Sequence, residues 1–209
     1  MELHSLLLFV IACLSINLIP GPDVIYIVSN AMKGQRSSGM RAAFGLSTGY
    51  FVHTLAACFG LSAIIMSSAL LFSIIKWAGA LYLLYLGIMS LRAMYRGSST
   101  IINIQNTNQS SHGVFKQGVV VSLLNPKVAL FFLSFLPQFI DVSSGSVTLQ
   151  LFSLGLVFSL LATLCNVIYA VVGQWLLKGE KAKRYSRILE GVSGVLLIGL
   201  AGKIAFSRR

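Results

Sequence analysis

Two prolines and a glycine interrupt an apolar run near the start of the chain, in the stretch Asn17-Leu18-Ile19-Pro20-Gly21-Pro22-Asp23. Proline has no amide hydrogen and its ring clashes with the preceding helical turn, so a regular helix is interrupted here. The break leaves backbone carbonyls, among them those of Ile16 and Leu18, without helical partners. In a chain that crosses a membrane, such backbone is tolerated only where protein or water meets it. The stretch therefore predicts a cavity inside a broken transmembrane helix.

A second break of the same kind occurs 104 positions later, in the stretch Ser122-Leu123-Leu124-Asn125-Pro126-Lys127. At this offset Pro126 matches Pro22, and Lys127 matches Asp23. The identity fades outside these residues, so the repeat signal is weak by itself. The matching positions still predict that both breaks line one cavity.

The composition indicates a membrane protein. The chain has 209 residues, of which 56% are hydrophobic and only 10% are charged, whereas about a quarter of the residues of a soluble domain are charged. A bilayer crossing needs about 20 predominantly apolar residues, and such runs leave no room for a soluble catalytic domain. The predicted fold is an all-α integral membrane protein of about six transmembrane helices, near Leu3 to Asn30, Met40 to Ser67, Leu70 to Leu91, Val114 to Phe139, Thr148 to Leu177 and Ile188 to Phe206.

Six spans divide into two halves of three. An odd number of crossings per half places the second half upside down relative to the first. The prediction is a single transporter domain over 1–209, with repeat one at about 1–95, a polar connector at about 96–113 and repeat two at about 114–209. Inverted repeats with broken helices that meet near the membrane midplane are typical of secondary transporters.

The basic residues predict the orientation in the membrane. A formal charge of +11 would suggest nucleic acid in a soluble chain, but here the charges occupy alternate connectors, a pattern that the positive-inside rule assigns to the cytoplasm. Both termini are then expected outside, although Lys203, Arg208 and Arg209 run against the rule. The first helix is expected to stay uncleaved. The charges in question are Lys33, Arg36, Arg41, Arg92, Arg96, Lys116, Lys178, Lys181, Lys183, Arg184 and Arg187.

Asp23 and Lys127 are the only opposite charges expected deep in the membrane. They form either a structural ion pair or a substrate site, and the two interpretations can coexist. A zwitterionic amino acid offers an ammonium group for Asp23 and a carboxylate for Lys127. Asn17 and Asn125 can exchange hydrogen bonds with the freed carbonyls.

Two further residues in the second span have open interpretations. His53 is either a proton relay or a hydrogen-bonded packing residue. Gly49 belongs to a small-residue face with Gly45, which favours close helix packing, with cavity lining as the alternative.

The motifs together resemble the LysE/RhtB family of amino-acid exporters, specifically its branch for neutral amino acids, homoserine and threonine. The resemblance covers nearly the whole chain and rests on Pro20-Gly21-Pro22-Asp23, Gly45-Leu46-Ser47-Thr48-Gly49 followed by His53, Trp77-Ala78-Gly79-Ala80-Leu81-Tyr82-Leu83 with Leu86-Gly87, Asn125-Pro126-Lys127, and Phe135-Leu136-Pro137-Gln138-Phe139. It implies a multi-pass exporter in the bacterial inner membrane. It places Pro20, Gly21, Pro22, Asp23, Asn125, Pro126 and Lys127 near the transport path.

The resemblance also bears on the substrate. Members that look specialised for basic amino acids tend to carry an acidic residue in the second span, where this chain has the uncharged run Gly49-Tyr50-Phe51-Val52. Asp23 is then expected to be the only deep carboxylate, so a second cationic group would lack a partner. This favours a neutral substrate such as threonine, homoserine or a branched-chain amino acid. No cofactor, metal or nucleic acid is expected, and coupling to protons and assembly into a homo-oligomer stay open.

Two other classes of function remain as alternatives. An intramembrane enzyme needs a nucleophile with a base, or a metal cluster, and the sequence has neither a G-x-S-x-G nor an H-E-x-x-H motif. A channel-like pore would use rings of charge or of carbonyl groups. Solute efflux that saturates would distinguish a transporter from a pore.

Overall fold

The computed structural model describes residues 3–19, 21–96, 111–176 and 180–206, and every regular element in them is helical. This confirms the predicted all-α fold class. The elements are α1 (Leu3–Leu18), α2 (Pro22–Ala56), a π-helical turn (Ala57–Leu61), α3 (Ser62–Ser67), α4 (Ala69–Arg96), α5 (Ser111–Leu123), α6 (Pro126–Leu130), a second π-helical turn (Phe131–Phe135), short 3₁₀ segments (Leu136–Phe139 and Val142–Ser144), α7 (Val147–Leu176) and α8 (Glu180–Phe206).

Both predicted breaks are present. The helices Ser5–Leu18 and Pro22–Met32 meet at 55°, and Gly113–Leu123 meets Pro126–Phe139 at 45°. In each case an extended residue precedes a proline at the first position of the next helix: Gly21 at φ −123°, ψ −173° and Asn125 at φ −76°, ψ 107°. Proline suits that position because its missing amide would be unpaired there anyway.

The connector predicted between the first two spans is instead helical. The helix α2 continues through this connector. The chain nevertheless reverses its direction there, because a Cβ atom added to Gly39 would lie only 2.7 Å from the Cβ atom of Ala31. Residues eight apart on a straight helix are about 12 Å apart. The reversal falls between the arms Pro22–Met32 and Arg36–Ile65. The second span therefore begins at Arg36, before the predicted start at Met40, because helical hydrogen bonding continues around the turn.

The structure supports several membrane crossings. Within the described residues, Arg36–Ile65 and Val147–Val172 are long and apolar enough to cross a bilayer, and each bent pair qualifies if it counts as one span. These are up to four of the six predicted crossings. α4 and α8 occupy the positions of the other two, and α8 begins at Glu180, earlier than the predicted Ile188.

α2 packs against α5 and α7, while α4 packs along α8. Glycine permits the closest contacts: a Cβ atom at Gly45 would clash with the carbonyl oxygen of Phe115, and one at Gly118 would lie 3.0 Å from the carbonyl oxygen of Ala42. The predicted close packing through Gly45 and Gly49 is thus confirmed.

Phenylalanines fill the bundle on the side of the breaks that leads to the loop at 140–146. Phe131 stacks on Phe158 with ring centroids 4.6 Å apart, and Phe9 meets the edge of Phe139 at 5.1 Å. Both rings of the first pair are fully buried. Large aromatic side chains therefore close this side, whereas small residues close the opposite side between α2 and α5.

The contacts between α4 and α8 repeat under the 104-residue offset. A Cβ atom at Gly87 would meet Ile198, and one at Gly191 would meet Met94; shifting each residue by 104 positions converts one contact into the other. Antiparallel helices that exchange their contacts in this way are related by a local two-fold axis, a relation compatible with the predicted inverted repeats. The division of the chain at 95 and 114 stays a prediction.

Candidate functional site

The two breaks meet at a buried ion pair. Lys127 Nζ lies 2.9 Å from Asp23 Oδ2 and 3.1 Å from Asp23 Oδ1, and it also donates to the carbonyl of Ile19 at 3.2 Å. Asp23 is 1% exposed and Lys127 is 5% exposed. Lys127 and Asp23 are exact partners under the repeat offset, so their contact lies where the two halves meet.

Gly21 lies against this pair. A Cβ atom at Gly21 would lie 2.7 Å from Asp23 Oδ1 and 3.1 Å from Lys127 Nζ. Its backbone is extended and needs no glycine for conformational reasons. The residue is therefore small because the charged groups occupy the space of a side chain.

Side chains from other helices satisfy the carbonyls that the breaks release. The hydroxyl of Tyr169 donates to the Leu18 carbonyl at 3.3 Å, and the Lys127 ammonium donates to the Ile19 carbonyl. The Ser122 carbonyl accepts from the backbone N–H of Asn125 at 3.1 Å and lies 3.2 Å from His53 Nε2. Because a carbonyl only accepts, His53 Nε2 carries the hydrogen in this bond.

His53 is thus a hydrogen-bonded packing residue in this conformation, half-buried with its ring stacked on Phe132 at 5.6 Å. It connects the second span to the break between α5 and α6. Its role as a proton relay stays a prediction.

The other predicted site residues divide into two groups. Gly49 adjoins the second break, since a Cβ atom there would lie 2.5 Å from Ser122 Oγ. Asn125 caps α6, its Oδ1 accepting from the Lys127 amide at 3.1 Å. Pro22 and Pro126 begin their helices with exposed rings. Asn17 instead donates to the Cys13 carbonyl of its own helix at 2.7 Å, and Pro20 lies outside the described residues.

A row of hydrogen-bonded polar side chains between α2 and α7 was not predicted. Tyr50 accepts from Asn166 Nδ2 at 3.0 Å, and Ser47 lies 2.7 Å from Thr163 through their hydroxyls. The sequence does contain a signal for it. Polar residues recur at helical spacing along the apolar fifth span, at Ser159, Thr163, Asn166 and Tyr169.

A second carboxylate besides that of Asp23 is buried among the helices. Glu190 is 3% exposed, and its carbonyl accepts from the Ser90 hydroxyl at 2.7 Å. It lies where α8 packs on α4. The sequence analysis did not single out this residue, which lies just after the predicted start of the sixth span at Ile188 and is covered by a neighbouring helix.

The site offers complementary charges to a small zwitterion. Asp23 and the Ile19 carbonyl are acceptors that now hold the Lys127 ammonium, and an ammonium group of a ligand has the same requirements. Lys127 is the matching cation for a carboxylate. In a ligand that carries both groups, the ammonium can therefore replace Lys127 at Asp23, and the carboxylate can replace Asp23 at Lys127.

Comparison with known proteins identifies the family of the chain. The model of the family described as LysE type translocator matches residues 14–208. The uncharacterized membrane protein YrhP of Bacillus subtilis (strain 168) is 31% identical over 98% of this chain and 100% of its own length. A leucine efflux protein of Enterobacter sp. (strain 638) is 29% identical, covering 94% of this chain and 93% of the relative. A leucine efflux protein of Salmonella choleraesuis (strain SC-B67) is 28% identical over 94% and 92%.

No solved structure matches the chain. The family match spans both breaks and all the helices from the middle of α1 to the end of α8. The protein is therefore a multi-pass membrane transporter and not an enzyme, and it belongs to the LysE type translocator family.

Proposed function

We propose that this protein exports a neutral amino acid across the bacterial inner membrane by alternating access, with the Asp23–Lys127 pair as the centre of the substrate site. The observation that carries the proposal is the burial of this pair between two broken helices, in direct contact with a carbonyl released by one break. An ionisable pair at membrane depth is costly unless it is used or fully compensated.

Leucine is the first substrate to test. Two relatives of nearly the same length are named leucine efflux proteins. The contacts of the pair include one carboxylate, that of Asp23, which one ammonium group neutralises. A basic amino acid would bring a second cation without a second anion, at a cost of several kcal/mol in a dry site.

Alternating access is supported by the way the two sides of the site are closed. Phenylalanines pack on one side and glycines on the other. Rocking of one half against the other about the two-fold axis would open each side in turn around a fixed site.

The test is counterflow of labelled amino acids in proteoliposomes that contain the purified protein. We expect saturable counterflow of L-leucine, weaker uptake of L-threonine and L-homoserine, and none of L-lysine. Asp23→Asn, reconstituted at an equal amount of folded protein, should reduce leucine counterflow at least about 100-fold, because an amide cannot neutralise an ammonium group.

Three results would argue against the proposal. Flux that does not saturate would indicate a pore, and counterflow of no amino acid would remove the proposed substrate class. Normal transport by Asp23→Asn would remove Asp23 from the mechanism.

A further inference from the structure

Two polar side-chain atoms beside the second break lack hydrogen-bond partners among the described residues. They are Ser122 Oγ and Asn125 Nδ2, on residues that are 0% and 1% exposed. A buried polar atom without a partner loses its hydration and gains nothing in return. Most buried polar groups in proteins are paired, so an exception calls for an explanation.

The other polar atoms of these two residues are already engaged. The Ser122 carbonyl is already engaged by Asn125 and His53, and Asn125 Oδ1 is engaged by the Lys127 amide. The side chain of Asn125 is therefore held by its oxygen atom, and the backbone of Ser122 is held by its carbonyl. Only the hydroxyl and the amide NH₂ group remain uncommitted, and both can donate hydrogen bonds.

The two donors belong to the same short segment as Lys127. Asn125 is two residues before Lys127 and caps the helix on which Lys127 lies. An anion that reaches Lys127 thus meets a cation on the segment that also carries the two uncommitted donors. The other break contributes the acceptors, namely Asp23 and the Ile19 carbonyl. The site is therefore divided by chemistry, with acceptors from the first break and donors from the second.

We propose that Ser122 Oγ and Asn125 Nδ2 bind the carboxylate of the transported molecule together with Lys127, so that the site selects substrates with a free carboxylate. This inference rests on the proposed function and adds to it the group that is recognised and two residues that recognise it. Ser122 and Asn125 are uncharged, so they do not neutralise the substrate carboxylate. They confer selectivity because a carboxylate accepts from all three donors, whereas a carboxamide offers one fewer acceptor atom and no charge.

The variant Ser122→Ala tests the role of the hydroxyl. It removes one oxygen atom and leaves the backbone bonds to Asn125 and His53 in place. The KM for L-leucine counterflow should rise about tenfold, the usual effect of losing one hydrogen bond to a charged group. The thermal stability should be unchanged or higher, because a buried unpaired hydroxyl has been removed.

Ser15→Ala is the matched control. Ser15 is equally buried, but its hydroxyl donates to the Ile11 carbonyl within α1. This variant should keep the parental KM.

Asn125→Asp tests the second donor, since it retains the oxygen that caps α6 while replacing the NH₂ group by oxygen. It should transport leucine much more weakly than Ser122→Ala does, because it places an anion opposite the substrate carboxylate.

Binding of L-leucinamide completes the experiment. Thermal-shift titration of the parent should detect L-leucine at concentrations at least about tenfold below those needed for L-leucinamide. In Ser122→Ala this preference should shrink. A parental KM and an unchanged preference in Ser122→Ala would overturn the inference while leaving the proposed function intact, provided that Asp23→Asn is inactive. Absence of leucine counterflow in the parent would overturn the proposed function instead.

Discussion

At the scale of single residues, the decisive contact is between Asp23 and Lys127. Desolvation of two charges is costly, and their attraction offsets that cost only when the geometry is good and further hydrogen bonds are made. Here the ammonium contacts both carboxylate oxygens and the Ile19 carbonyl. Loss of either partner leaves a buried charge without compensation, with a penalty of about 3–5 kcal/mol.

The double variant Asp23→Asn with Lys127→Gln separates structure from function. Each single substitution should lower yield and thermal stability, because the remaining charge is unpaired. The double variant should recover both, since two neutral amides can hydrogen-bond to each other. Leucine counterflow should remain absent, because neither charge of the zwitterion is then matched. Detergent thermal stability and proteoliposome transport, measured on the same preparation, decide the outcome; a double variant that also transports normally would mean that the pair is only structural.

Much of this site could be predicted from the sequence. Proline positions and the only opposite charges near them identify the breaks and the pair, because the chemistry of these residues is local. The contribution of Tyr169 could not be derived in the same way. Its hydroxyl reaches the Leu18 carbonyl across 151 positions of sequence, and which side chain covers a released carbonyl depends on how the helices pack.

At the scale of helices, the interface between α2 and α5 is built on glycine. Phe115 and Gly118 of α5 approach α2 at Gly45 so closely that a methyl group would collide with backbone atoms. Backbone cannot move aside as a flexible side chain can. The sequence reveals the small residues on α2, since they recur at helical spacing. It does not reveal which helix they face.

Gly45→Ala should therefore destabilise the protein by about 1–3 kcal/mol, the usual cost of overpacking a close contact. Gly199→Ala provides the control, because an added Cβ atom there has no atom within 4 Å among the described residues. The control should be neutral or slightly stabilising, since alanine has the higher helix propensity. Thermal unfolding of the two variants in detergent gives the comparison, and equal stability would show that α2 and α5 separate readily at this point.

The turn between the first two spans illustrates a limit of sequence reasoning at this scale. The predicted spans near Leu3 to Asn30 and Met40 to Ser67 leave a connector between them, which implies a reversal of the chain. Helical hydrogen bonds continue through it, and the reversal is evident from the contact of Gly39 with Ala31. Periodicity along a sequence reports local backbone structure and contains no information about the direction of the helix axis.

At the scale of the whole molecule, the local two-fold axis and the charge pattern support each other. The 104-residue offset relates Gly87 to Gly191 and Asp23 to Lys127, and the predicted inversion inserts the two halves in opposite directions. In the described residues the basic side chains of the alternate connectors are exposed, at Arg36, Arg41, Arg92, Arg96, Lys116 and Arg187. Exposed charges at helix ends are costly to move across a membrane, which is the physical basis of the positive-inside rule.

These charges predict the orientation of the molecule in the membrane. Ser37 lies at the start of the second span, beside the basic turn, and Ser144 lies in the loop before α7, which carries no Lys or Arg; both are exposed. A cysteine at Ser37 should react with a membrane-impermeant thiol reagent only after the cells are opened, whereas a cysteine at Ser144 should react in intact cells. The native thiols Cys13, Cys58 and Cys165 are buried and should give little background. The sites lie on opposite sides only if an odd number of crossings separates them, as in the six-span arrangement, in which three spans lie between Ser37 and Ser144. Labelling of both in intact cells, or of neither, would contradict that arrangement and with it the inverted relation of the two halves.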